Sequence, residues 1–191
     1  DKTVTHHRAV LFVKPNYWLV IDRLVPSDDQ VHRYDAVFHF DVESASVSEK
    51  PLAAISADTE GPNLAVVPLR IGDTSVKIVV GQEEPTVQGW VPAGGYKVRP
   101  VATPILSVEA SGVTVMPTLL YPLRAGEQLP ITEINATANE GVLTFVMNFT
   151  DGHRDVLTIP EALPDAKTGH LVHWSSSENG KITAELAVGV D

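Results

Sequence analysis

The chain has 191 residues, enough for one domain with a sizeable buried core. Hydrophobic residues make up 43% and charged residues 20%, a globular balance that excludes disorder, and no run approaches the roughly 20 apolar residues of a membrane-spanning helix. With 14 Lys+Arg against 24 Asp+Glu the formal net charge is −10, which argues against nucleic acid as a partner but leaves room for an anionic sugar met by a local basic patch or a metal.

There is no cysteine, which excludes disulfides, thiolate zinc sites and thiol nucleophiles. The first residues carry no basic, apolar leader, and a strand pattern starts almost at once. The expectation is a piece of a longer polypeptide, cut near a domain boundary.

In chain order, strand patterns fall at residues 9–13, 17–24, 31–40, 64–71, 75–80, 113–121, 142–149, 156–159 and 182–188, with Gly, Pro, Asn or Asp between them. Leu143, Phe145, Met147 and Phe149 share one face of their strand, with Thr144 and Asn148 on the other. Asp151-Gly152 and Asn179-Gly180 suit tight hairpin turns that need positive φ. The stretch 161–167 is the best helical candidate, but it is short and interrupted by Pro164, so it reads as a turn. These patterns predict a single all-β domain over 1–191, an antiparallel two-layer β-sandwich.

The most informative stretch is 6–23, two strands joined at Lys14-Pro15-Asn16. Asp22 lies in the middle of an apolar run, where a lone carboxylate is costly unless something pairs it. A three-residue loop sets Arg8 opposite Asp22 and makes His6 its diagonal neighbour, about 7–8 Å away; a two-residue loop gives His7 that diagonal place. In 31–41 the even positions are mainly apolar, and the odd positions place Arg33, Asp35, His39 and Asp41 on a polar face. If that strand lies beside the first two, two imidazoles and a carboxylate form a first shell for zinc or a similar divalent ion. The competing reading is an Arg8–Asp22 ion pair beside ordinary histidines.

The run HHRAVLFVKPNYWLVIDRL, then VHRYDAVFHFD, resembles the β-sheet (C-terminal) domain of the heparinase II/III-like polysaccharide lyases. The later QGWVPAGGYKVRP, with Gly89, Trp90, Tyr96 and Pro100, resembles a second segment of that domain, and the likeness covers roughly residues 5–125. It implies a helical toroid domain ahead of this one, and β-elimination of acidic, uronate-containing polysaccharide or oligosaccharide in the cleft between the two. It also implies a periplasmic or secreted protein whose β-domain alone has little or no activity. A structural metal, usually zinc, is implied at His6 (His7 in the other register), Asp22 and His39. Some relatives carry a catalytic histidine two residues ahead of the metal-binding one; here that position is Val4, so His7 takes such a role only where the strand bulges.

Trp90 and Tyr96 flank Pro92 and Gly94-Gly95 in a loop suited to stacking on a sugar, set against plain packing of Trp90 over the sheet. His170 and His173 with Trp174 read as surface or edge-strand residues, and His153 as solvated. Asn135 and Asn148 head glycosylation-type tripeptides, of a kind that arises often by chance. No Walker A loop, dinucleotide fingerprint or G-x-S-x-G elbow occurs. The rival to the lyase domain is a non-catalytic carbohydrate-binding or structural β-sandwich, with the Trp90–Tyr96 loop as its platform.

Overall fold

A strand whose neighbouring residues are all apolar has no face to give to water, so it must be covered on both sides. The stretch from Leu19 to Ile21 and the run Leu64–Val67 are of this kind, and they occupy the middle layer. The computed structural model describes residues 3–164 and 170–189. In chain order the strands are β1 (Val4–Val13), β2 (Tyr17–Pro26), β3 (His32–Val37), β4 (Ala45–Glu49), β5 (Leu52–Ser56), β6 (Asn63–Pro68), β7 (Ser75–Val80) and β8 (Trp90–Pro92). They continue with β9 (Val98–Pro100), β10 (Ala102–Ala110), β11 (Thr114–Leu123), β12 (Ile131–Asn139), β13 (Val142–Phe149), β14 (His153–Pro160), β15 (His170–Glu178) and β16 (Lys181–Gly189).

All pairings are antiparallel. A six-stranded sheet runs β1-β2-β11-β6-β5-β4, a five-stranded sheet β12-β13-β14-β15-β16, and a three-stranded sheet β3-β10-β7, with β8-β9 a separate hairpin. The all-β antiparallel sandwich expected from the sequence is the observed architecture. Its principal core joins Leu19, Ile21, Val67 and Leu119 of the six-stranded sheet to Phe145, Met147, Leu157 and Trp174 of the five-stranded one. A third, smaller layer packs on the other side, where Tyr34, Ala36, Phe40 and Leu106 meet Ala54, Val66 and Met116. Adjacent residues of β6 thus enter different cores: Ala65 and Val67 one, Val66 the other.

Turn chemistry follows the sequence where the sequence is explicit. Asn179 (φ 51°) and Gly180 (φ 75°) join Glu178 to its partner Lys181 as a two-residue hairpin turn with both φ positive. Glu140-Gly141 turns β12 into β13 in the same way, without the Asn or Asp that would have announced it. The strand expected over 31–40 ends its ladder at Val37, and residues 165–167 of the expected turn lie outside the described residues.

Two polar clamps cross the principal core from the inner face of β2. The Tyr17 hydroxyl donates to Asp155 Oδ2 at 2.5 Å, and Trp174 Nε1 donates to the Tyr17 oxygen at 2.8 Å and to Asp155 Oδ2 at 3.2 Å. Burial, then the Asp155 charge, raises the Tyr17 pKa far above its ordinary value, so the phenol stays a donor. Arg23, also buried, donates to the carbonyls of Glu161 (2.9 Å) and Pro160 (2.5 Å), tying β2 to the end of β14. Trp174 is therefore a core residue, unlike the surface place its sequence neighbourhood implied.

Asp155 Oδ1 is already without a hydrogen-bond partner among the described residues, so removing the phenol leaves both carboxylate oxygens poorly satisfied. Tyr17→Phe is expected to lower unfolding stability by about 2 kcal/mol. Urea unfolding checks this: the midpoint should fall with the slope unchanged.

Candidate functional site

The β1–β2 ladder pairs Val13 with Tyr17, Arg8 with Asp22 and His6 with Leu24, the register of a three-residue loop. Arg8 and Asp22 therefore stand opposite each other, and His6 is the diagonal histidine. The Arg8 guanidinium grips the carboxylate with both arms, Nε to Oδ1 at 2.6 Å and Nη2 to Oδ2 at 2.9 Å. His6 Nε2 donates to the same Oδ1 at 2.6 Å. Asp22 is only 3% exposed, while the side chains of Arg8 and His6 are about half exposed. The hydrogen bond to Asp22 raises the Arg8 pKa further, so the guanidinium is a permanent charge.

These groups line a cavity of about 220 Å³ shared with Arg33, Tyr34 and Met116. The Tyr34 hydroxyl is buried there without a hydrogen-bond partner among the described residues, and burial raises its pKa. Arg33 is held by Asp35 (3.1 Å) and Ser107 (3.2 Å). A roomier hollow of about 600 Å³ lies elsewhere, lined by Lys50, Arg70 and Glu133, and no sequence pattern marks it.

His39 does not join His6 and Asp22. The odd-even alternation assigned it correctly to a polar face, but β3 belongs to the three-stranded sheet, and that face is turned outward to water. Phe38 and Phe40 continue the β3–β10 pairing through bonds to Pro104 and Ala102, which keeps Phe40 inside and His39 exposed. Among the described residues no three His, Cys, Asp or Glu side chains are grouped to hold a metal ion. A divalent cation also fits the Asp22 carboxylate poorly, because both of its oxygens already face a guanidinium fork. His7 stands on the opposite face of β1 from His6, exposed, across the ladder from Arg23.

Trp90 and Tyr96 sit at opposite ends of the β8–β9 hairpin. Trp90 pairs with Pro100, donates its indole N–H to Gln82 O at 3.1 Å and packs close to Gly81. Tyr96, at φ 60°, projects fully into solvent from the loop beyond Pro92. His153 is stacked on Phe149 at 3.9 Å and hydrogen-bonded to Asp151 at 2.5 Å, and His173 is hydrogen-bonded to Glu185, its diagonal neighbour on β16, at 2.6 Å. His153, read as solvated, is partly covered, whereas His173 lies near the surface as its sequence neighbourhood implied.

Two outcomes follow from this geometry. Arg8→Met strands a buried carboxylate with His6 alone and is expected to cost on the order of 2 kcal/mol, whereas Arg8→Met combined with Asp22→Leu should recover most of the loss; equilibrium unfolding of the three proteins measures both. Gly89→Ala is expected to cost about 2–3 kcal/mol, read as a lowered Tm, because strain at positive φ adds to a backbone clash. At Gly89, with φ 80°, a Cβ would lie 2.8 Å from Gly81 N and 3.2 Å from two carbonyl oxygens.

No family model and no curated protein sequence matches the chain. Solved structures do. The heparan sulfate lyase HepC from Pedobacter heparinus superposes with a TM-score of 0.66 at 18% identity, over 86% of this chain and 25% of that one. A mutant of the same lyase aligns at 19% identity with the same TM-score. A heparinase III, the BT4657 gene product, aligns with a TM-score of 0.62 at 15% identity, over 84% of this chain and 24% of that one. The chain thus spans about a quarter of the length of these lyases. The likeness of the N-terminal motif and the likeness in three dimensions coincide: the chain has the fold of a heparinase-like β-domain.

Proposed function

We propose that this chain is the β-sandwich module of a polysaccharide lyase, forming one side of a cleft in which a uronate-containing polysaccharide undergoes β-elimination. The observation that carries the reading is the fold match over 86% of the chain to a quarter of the length of enzymes whose names describe heparan sulfate cleavage. The motif spanning residues 6–23 supports it independently. In this reading a helical domain supplies the other wall and the base, and the protein works outside the cytoplasm, where acidic polysaccharide is met.

The chemistry states what each wall must do. A base takes the proton α to the uronate carboxylate, the C–O bond at the β carbon breaks, the departing oxygen gains a proton, and a double bond remains in the new terminal sugar. The carboxylate needs its charge offset while the proton leaves. Among this chain's residues, the permanent charge of Arg8 and the imidazole of His6 stand on one exposed edge for that purpose. Asp22 holds both in place from beneath. No step is assigned to a metal, since the residues that sequence likeness nominated are not assembled around one.

The test is to assay this domain alone, and covalently joined to its helical domain, on heparan sulfate and on alginate by the absorbance of the unsaturated uronate product. Activity confined to the joined protein is expected. An inactive joined protein whose isolated β-domain still retains carbohydrate would overturn the lyase reading in favour of a binding module.

A further inference from the structure

The three-stranded sheet covers only part of the outer face of the six-stranded one. Val4, Leu24, Leu64, Val66, Met116 and Leu120 are packed beneath or against it. Along the β1–β2 hairpin the same face is left open: Val10 is 62% exposed, and Phe12 and Trp18 are each 36% exposed. Phe12 and Trp18 are direct cross-strand partners, and their rings stack at 4.3 Å with 7° between the planes. Each ring restrains the other, so the pair is a rigid platform formed before any ligand arrives.

The charge on this face opposes that of the whole molecule. The chain carries −10 overall, yet the ionisable side chains of β1, β2 and their turn on this face are His6, Arg8, Lys14 and Asp22. Asp22 is the one carboxylate among them, and Arg8 and His6 already satisfy it. Lys14 Nζ lies 5.9 Å from the centre of the Phe12 ring, so a cation edges the platform. Arg8 is four residues from Phe12 along the strand, roughly 13 Å at 3.3 Å per residue, a span longer than one sugar.

We propose that the outer face of the β1–β2 hairpin binds an acidic saccharide, with the Phe12–Trp18 pair carrying a sugar ring and Lys14 and Arg8 taking its anionic groups. The apolar C–H face of a pyranose suits the negative face of an aromatic ring, and the flanking cations select against neutral sugars. The choice of an acidic sugar rests on the lyase-module reading; the location of the platform rests on the exposed ring pair and the local charge.

The test titrates the 191-residue domain with heparan sulfate or alginate oligosaccharides, and with neutral cello-oligosaccharides, by calorimetry and by the NMR signals of the indole N–H groups. The acidic ligands should bind and shift the Trp18 signal while leaving Trp174 unmoved. Trp18→Ala and Trp18→Leu, the second keeping an apolar group for folding, should each weaken binding about tenfold. Lys14→Ala should weaken it severalfold and flatten its salt dependence. Trp90→Ala should bind normally.

Unchanged affinity in both Trp18 variants overturns the platform, as does equal binding of neutral sugar or no binding of the acidic one. The two readings fail separately. A joined protein that cleaves acidic polysaccharide with unaltered KM after Trp18→Leu leaves the module reading standing and removes the platform. Trp18-dependent binding without any cleavage by the joined protein does the reverse.

Discussion

A carboxylate shut inside a strand has to be neutralised where it stands, and at Asp22 that demand organises the N-terminal half of the site. Water cannot reach it, so the charge is met by the residue directly opposite and by one diagonal neighbour. Both lie on β1, which makes the ion pair a register lock. A slip of one residue would bring His7 and Ala9 to the outer face and turn Arg8 toward the principal core. The same contact draws the Arg8 guanidinium and the His6 imidazole to the outer edge, where they remain about half exposed.

The middle layer explains why β2 carries so much of the molecule's polar chemistry. It is paired on both edges, to β1 and β11, and covered on both faces over much of its length. Any polar group on it must find a partner in another layer or another strand. Tyr17 and Arg23 find theirs in β14, β15 and the residue that follows β14, so two sheets are held by directional bonds as well as by apolar contact. Asp22 finds its own on β1. At the Phe12–Trp18 end the outer layer stops short, and there the hairpin shows an aromatic surface edged by a cation.

Local features were legible in the chain because they depend on residues close in sequence. The two strands over 6–23 and the Asn179-Gly180 turn each need only a hairpin and a parity rule. Several of the missed strands carry their strand pattern diluted by Ala, Asn or Pro. β5 is Leu52-Ala53-Ala54-Ile55-Ser56, β10 has Pro104 near its start, and β12 is rich in Asn, Thr and Ala. They are strands because neighbouring ladders and a covering layer make them so.

What the sequence by itself determined is the strand class of the fold, the first hairpin and the need of Asp22 for a partner on it, since alternation and a buried charge act over short separations; the three-residue loop, and with it Arg8 opposite Asp22 and His6 diagonal to it, was decided by the folded ladder. Tertiary structure alone decided which sheet each strand enters. His39 shows the consequence: its parity was read correctly, yet a crossover placed its strand in another layer and its polar face in solvent. Trp174 shows the converse, drawn into the core by a phenol and a carboxylate that lie 157 and 19 residues away in the chain. Contacts of that range carry no local pattern, because they are fixed by the closing of layers upon one another rather than by the chain's own periodicity.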